Sequence, residues 1–147
     1  MVRWVMIGRV NDGLPLCAST DEDDQSPQNI NSKPLGEQYK NSCKLILRQL
    51  SGGPKSRAVE NPSEGRLSVD CDGYVIHYSV ENGVCCLAVC NKQYPKKLAF
   101  AFLEELQKQF YEEHAQQIDT AARPYALIKF GMIIIYFRNF CFYFELF

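Results

Sequence analysis

The chain has 147 residues, of which 46% are hydrophobic and 22% charged, a composition typical of one folded domain and not of a disordered chain. Sixteen basic and seventeen acidic residues leave a formal net charge of -1, which excludes nucleic-acid binding through a bulk positive field. The seven cysteines are odd in number and irregularly spaced, which argues against a disulfide framework.

The first predicted element is a strand over residues 2–10, whose two alternating faces are both apolar and therefore favour a central place in a sheet. This run is too short for the core of a signal peptide, so we expect a reducing compartment. No stretch offers about 20 uninterrupted apolar residues, so no clean transmembrane helix is predicted. Residues 11–13 (NDG) predict a tight turn, and a second strand over 14–19 is placed at a sheet edge by Pro15.

Residues 20–37 are acidic and polar, which is typical of a solvated loop insertion; an acidic docking tail is the functional alternative. A period of 3.6 over residues 38–50 then predicts a helix. Its apolar stripe consists of Tyr39, Cys43, Ile46, Leu47 and Leu50. Three further strands, joined by Asp-Gly and Asn-Gly turns, are predicted within residues 67–90 and form an antiparallel meander.

Pro95 is suited to open a long helix. The buried stripe of this helix is predicted to be Leu98, Ala99, Phe102, Leu103, Leu106 and Phe110, and residues 116–122 a connector. The element order is therefore strand, strand, helix, three strands and helix. Helices on both faces of the sheet would explain why the first and fifth strands lack a polar face. The predicted fold class is α+β, with a five-stranded antiparallel sheet sandwiched between helices.

No catalytic, cofactor or metal site is predicted. Adjacent Cys85 and Cys86 point to opposite faces of a strand, and His77 and His114 lack a zinc-ligand spacing. His77 is expected on a helix-packed or partly wet face of the sheet. No known catalytic motif is present, so we expect a protein that is not an enzyme. A thiol-dependent enzyme using Cys85 or Cys86 is the enzymatic alternative.

Three segments resemble one family in family order: residues 7–16 (IGRVNDGLPL), 95–106 (PKKLAFAFLEEL) and 122–130 (ARPYALIKF). They are similar to the opening hairpin, the second helix and the entry to the third helix of longin-domain vesicle-trafficking R-SNAREs that act between endoplasmic reticulum and Golgi. The resemblance implies a profilin-like longin domain over residues 1–130. It also implies a non-catalytic regulatory or sorting module that binds SNARE helices or vesicle coat proteins. The implied location is the cytoplasmic face of endoplasmic reticulum, intermediate compartment or Golgi membranes, or the cytosol.

Residues 131–147 depart from the family pattern and form an aromatic-rich tail in place of the SNARE motif and membrane anchor. We therefore expect a chain that does not drive fusion itself. An alternative transcript end or a gene-model artefact would produce such a tail, and a truncated product without an independent role is the alternative to a functional module. Phe130 and Ile134 begin a predicted apolar stripe in the tail, which would leave Ile133 exposed. The tail is expected to be covered by a partner or a membrane interface, or to cause aggregation.

A partner-binding surface is predicted between the first helix and the third strand. Its candidate residues are Cys43, Ile46, Leu47, Leu67 and Val69. The same residues are equally well explained as part of the hydrophobic core, and the sequence leaves both alternatives open.

Overall fold

Five strands form one antiparallel sheet in the computed structural model, which describes residues 2–19, 35–52, 65–131, 133 and 134. The strands are β1 (Val2–Arg9), β2 (Leu14–Ala18), β3 (Arg66–Asp70), β4 (Val75–Glu81) and β5 (Val84–Cys90). Their order across the sheet is β2-β1-β5-β4-β3, so the chain crosses over once to place β5 beside β1. The two doubly apolar strands therefore lie inside the sheet, and the strand that carries Pro15 lies at an edge, as predicted.

The turns between strands follow the predicted dipeptides. Gly13, Gly73 and Gly83 all have positive φ angles, between 71° and 90°, and Asn82 also has a positive φ of 54°. Two successive left-handed residues at Asn82 and Gly83 match the twist of the flanking strands, which is why Asn-Gly favours a two-residue hairpin.

One helix covers each face of the sheet, and the predicted α+β class with two helical layers is confirmed. Helix α1 (Leu35–Gly52) packs on the face that presents Trp4, Met6 and Leu87, and helix α2 (Lys96–Ile118) packs on the face that presents Val5, Ile7 and Ala88. Residues 35–37 were predicted to be loop, and that prediction is wrong. They form the first turn of α1, where Glu37 interacts favourably with the positive end of the helix dipole. Residues 20–34 lie outside the described residues.

Five of the six residues predicted to be buried along α2 are buried, but Leu98 is 38% exposed. Each helical residue advances by about 100°, which places Leu98 about 100° from the centre of the stripe formed by the other five. Gln107 lies nearer to that centre and is buried although it is polar. The helix also extends to Ile118, so residues 116–118 belong to it and not to the predicted connector.

The segment after α2 runs along the outer side of β2. The backbone N–H groups of Tyr125 and Leu127 donate to the carbonyls of Pro15 and Leu16 at 2.7 and 3.0 Å, which closes that edge of the sheet. Phe130 packs edge-on against Phe110 with ring centroids 5.0 Å apart, and Ile134 is fully buried in the same cluster. The prediction that Ile133 is exposed is wrong, because its side chain packs against this cluster and is half-buried. Residues 135–147 lie outside the described residues.

Candidate partner-binding surface

Helix α1 rests on the sheet through two fully buried side chains, Cys43 and Leu47. Gly8 of β1 permits this close packing, because a Cβ atom at Gly8 would lie only 2.3 Å from the Cδ2 atom of Leu47. Tyr74 fixes the other side of the helix. Its hydroxyl lies 2.9 Å from the Ser42 hydroxyl, and its ring packs edge-on against Tyr39. The side of α1 that carries Ser42 and its neighbours therefore faces the β3–β4 half of the sheet.

Strand β3 continues the same face of the sheet beyond the helix. Leu67 pairs with Tyr78 and Val69 with Ile76, and paired residues of antiparallel strands share a face. Tyr78 and Ile76 belong to the cluster beneath α1, so Leu67 and Val69 also lie on the α1 side. Leu67 is 55% exposed, and Val69 is half-buried. We call the area formed by Ile46, Leu67 and Val69 the α1–β3 surface.

The structure divides the five predicted partner-binding residues into two groups. Cys43 and Leu47 are core residues, and a partner reaches them only if α1 moves away from the sheet. Ile46 is half-buried on the side of α1 that carries Ser42, so it belongs with Leu67 and Val69. The helical stripe alone does not separate these groups, since Ile46 and Leu47 are neighbours in sequence and differ only in the direction that each faces. Partner binding by all five residues remains a prediction.

The opposite face of β3 is polar and packs beside α2. Ser68 lies 2.7 Å from the Nδ1 atom of His77, whose ring packs edge-on against Phe100. Burial, and to a lesser extent the charge of Lys96, lowers the pKa of His77. His77 was predicted on a helix-packed or partly wet face of the sheet, and the structure places it on the helix-packed face. Arg66 bridges to Glu104 of α2 at 3.4 Å and lies over the Phe100 ring. The sequence pattern did not single out these polar residues of β3, although charged side chains are typical of an edge strand.

Cys85 and Cys86 of β5 are both buried in the core. Cys85 lies in the cluster beneath α1 and Cys86 in the cluster beneath α2, so adjacent residues face opposite sides as predicted. Burial raises the pKa of both thiols far above the ordinary value, which opposes formation of a nucleophilic thiolate. Within the described ranges, no cluster of three or more His, Cys, Asp or Glu side chains is arranged to hold a metal ion. Among the described helices, none is both long and apolar enough to cross a membrane.

The chain is similar in sequence to one family model and to proteins named for vesicle trafficking and protein transport. The longin family model, a regulated-SNARE-like domain, matches residues 24–134. The vesicle-trafficking protein SEC22b of Xenopus tropicalis is 40% identical over 134 residues, which are 91% of this chain and 55% of the relative. The 25.3 kDa vesicle transport protein SEC22-1 of Arabidopsis thaliana is also 40% identical, over the same shares of the two chains. The protein transport protein sec22 of Schizosaccharomyces pombe is 37% identical over 131 residues, 88% of this chain and 53% of the relative. The chain spans about half the length of the curated relatives it matches.

Proposed function

Since this chain belongs to the longin family of regulated-SNARE-like domains, we propose that it is a non-catalytic regulatory and sorting module in protein transport between endoplasmic reticulum and Golgi. Relatives from a frog, a plant and a yeast carry the names of vesicle-trafficking or protein-transport proteins, which supports a role in the same process. The module would act at the cytoplasmic face of these membranes. Its membrane association would be peripheral or would depend on the partners that it binds.

The proposed partners are SNARE helices or vesicle coat proteins, and the proposed contact is the α1–β3 surface. The observation that carries this proposal is the exposure of Leu67, a large apolar side chain that lies next to the half-buried Val69 on a sheet face. An amphipathic helix binds a surface of this kind by laying its own apolar stripe against it. Helix α1 provides one wall through Ile46, so a bound helix would lie between α1 and β3.

A non-catalytic role is supported by the chemistry of the thiols. The enzymatic alternative depends on Cys85 or Cys86, and both are fully buried in the two core clusters. A nucleophilic cysteine requires access to its substrate and an environment that favours the thiolate. Burial blocks access to both thiols and raises their pKa, so neither requirement is met.

The α1–β3 surface is tested by two matched substitutions. Leu67 is 55% exposed on β3, and Leu45 is 53% exposed on the outer side of α1. Both side chains tolerate glutamate without burial of a charge, so Leu67→Glu and Leu45→Glu are expected to leave the melting temperature nearly unchanged. Binding is measured by fluorescence anisotropy with labelled SNARE-motif peptides and by pull-down with purified coat complexes.

We expect Leu67→Glu to weaken binding about 10-fold or more, because the burial of one leucine contributes roughly 1.5–3 kcal/mol. Leu45→Glu should change the dissociation constant by less than about 2-fold, as is usual for a residue outside an interface. Equal effects of the two substitutions would show that binding uses another surface. Failure of the unaltered chain to bind any SNARE peptide or coat complex would overturn the proposed function itself.

A further inference from the structure

Strand β3 presents one side of its backbone to β4 and the other side away from the sheet. At the two ends of the strand, the backbones of Gly65 and Cys71 hydrogen-bond to the β4 side at 2.7 and 2.9 Å. Hydrogen-bonding directions alternate along an antiparallel strand, so the N–H and C=O groups of Arg66, Ser68 and Asp70 point outward. No strand within the described part of the chain pairs with this outer side. Arg66, Ser68 and Asp70 are all exposed.

The two edges of the sheet therefore differ. The backbone of the segment that contains Tyr125 and Leu127 hydrogen-bonds to the outer side of β2. The edge at β3 has no such cover among the described residues, and an uncovered edge is a template for another strand. Charged side chains at an edge usually oppose such pairing because like charges meet. Whether they do so here depends on the register of the incoming strand.

The sequence of β3, Arg-Leu-Ser-Val-Asp, is complementary to itself in the antiparallel direction. If two copies pair about Ser68, the outward backbone groups of Arg66 meet those of Asp70 of the second copy. By symmetry, Asp70 of the first copy meets Arg66 of the second. Each arginine then lies opposite an aspartate on the same face. On the α1 side, Leu67 lies opposite Val69 of the second copy, so apolar side chains are neighbours on that face. The only register that aligns all three outward residues thus places opposite charges together.

The ion pairs that Arg66 and Asp70 make within one chain do not prevent new ion pairs with a second copy. Arg66 bridges to Glu104 at 3.4 Å and Asp70 to Lys92 at 3.5 Å. All four side chains are more than half exposed. Ion pairs that are this long and this exposed contribute little to stability. Arg66 and Asp70 can therefore pair with a second copy with little loss of stability in each chain.

From these observations we propose that the chain forms a homodimer in which β3 pairs antiparallel with β3 of a second copy, about a two-fold axis at Ser68. The two five-stranded sheets become one continuous sheet, and both α2 helices lie on the same side of it. The proposal does not depend on the proposed binding of SNARE helices or coat proteins. It concerns the outer edge of β3, whereas the α1–β3 surface is the face of the sheet.

The test is sedimentation equilibrium of the full chain over a range of concentrations, with two charge-reversal variants. In Arg66→Asp, two aspartates face each other at both ends of the pairing. In Asp70→Arg, two arginines do so. We expect the dissociation constant of the dimer to rise about 10-fold or more in either variant alone, because opposite-charge cross-strand pairs are replaced by like-charge pairs.

Together with the single variants, an equimolar mixture of the two variants tests whether residue 66 of one chain meets residue 70 of the other. In the proposed register, the aspartate introduced at position 66 of one chain meets the arginine introduced at position 70 of the other, and the unaltered Arg66 and Asp70 meet at the other end. We therefore expect the mixture to dimerise about as tightly as the unaltered chain.

The double variant Arg66→Asp/Asp70→Arg should also recover dimerisation, because it exchanges the two charges and keeps every pair opposite in sign. Aggregation through the aromatic tail would not respond to this complementation. An unfolded variant would not regain a defined dimer on mixing.

Ser68→Pro provides a second test that involves no charge. Proline removes the N–H group that points outward at the two-fold axis and leaves the hydrogen bonds of Leu67 and Val69 to β4 in place. We expect this variant to sediment as a monomer with an unchanged circular dichroism spectrum. A monomeric unaltered chain at about 100 μM, or variants that stay dissociated when mixed, would overturn the proposal.

Discussion

The contact between Gly8 and Leu47 predicts the outcome of a double-mutant cycle. A Cβ atom placed on Gly8 would lie 2.3 and 2.8 Å from the two Cδ atoms of Leu47, well inside ordinary van der Waals separation. Leu47 is 1% exposed and is enclosed by the core cluster beneath α1, so it has little room to move. Overpacking of this kind typically costs about 1–3 kcal/mol. We expect Gly8→Ala to lower the free energy of unfolding by that amount.

Removal of the Leu47 side chain should reverse the effect of the alanine. Leu47→Ala alone is expected to destabilise the protein by about 2–5 kcal/mol, because it leaves a cavity under α1. In that background the methyl group at Gly8 meets no Cδ atom. It also restricts the unfolded chain, which stabilises by about 0.4–1 kcal/mol. The double variant should thus be at least as stable as Leu47→Ala, with a coupling energy of about 1.4–4 kcal/mol between the two sites.

The assay is urea unfolding followed by circular dichroism and by the fluorescence of Trp4, the single tryptophan, which is buried beneath α1. Coincident transitions and equal m-values would show that the free energies are comparable. Gly131→Ala is the control, because its Cβ atom would lie 2.8 Å from the backbone carbonyl oxygen of Ala18, which truncation of a side chain does not relieve. This control should destabilise the unaltered chain and the Leu47→Ala variant equally. An equal cost of Gly8→Ala in the two backgrounds would refute the steric argument.

Three further substitutions test polar contacts. Arg9 donates to the carbonyls of Ile118 and Ala121 at 2.7 and 2.8 Å, so Arg9→Met should cost about 2–4 kcal/mol in the free energy of unfolding, measured in urea. Gln107 donates to two carbonyls at the β4–β5 turn and accepts from a serine hydroxyl, so Gln107→Leu should cost about 2–4 kcal/mol in the same assay. His77 has a lowered pKa in the folded state, so the unfolded chain takes up the proton first as the pH falls. Stability should therefore decline as the pH drops below about 6.5, and His77→Gln should flatten the pH dependence of the melting temperature between about pH 5 and 8.

The first two of these predictions have a control variant, and the third has an outcome that would contradict it. Arg9→Lys keeps the charge but loses the fork of donors, and its stability should fall between those of the methionine variant and the unaltered chain. Lys108→Leu changes an exposed neighbour of Gln107 and should alter stability by less than about 0.5 kcal/mol. A loss as large as that of Gln107→Leu would show that the buried hydrogen bonds are not the cause. For His77, an unchanged pH profile in the glutamine variant would assign the acid sensitivity to other groups.

Much of the fold was predictable because its local signals agree with one another. Asn82 and Gly83 determine the β4–β5 turn through their left-handed backbone, and the uninterrupted apolar run of β5 requires cover on both faces. The alternation along β4 predicted that His77 lies on a helix-packed or partly wet face of the sheet. The resemblance of three segments to longin-domain proteins indicated the family, and the match of the longin family model to residues 24–134 confirmed it.

The sequence by itself thus determined the elements, their turns and the two-layer cover of the sheet, because these depend on neighbours in the chain. Only the tertiary structure decided which apolar residues are covered. Ile46 and Leu47 are adjacent and chemically alike, yet Leu47 meets Gly8 in the core while Ile46 is only half-buried beside β3. Leu67 continues a buried row of the sheet but lies beyond the helix that covers it, because β3 is the last strand. Exposure depends on which segments from elsewhere in the chain pack over a residue, and local periodicity carries no information about that packing.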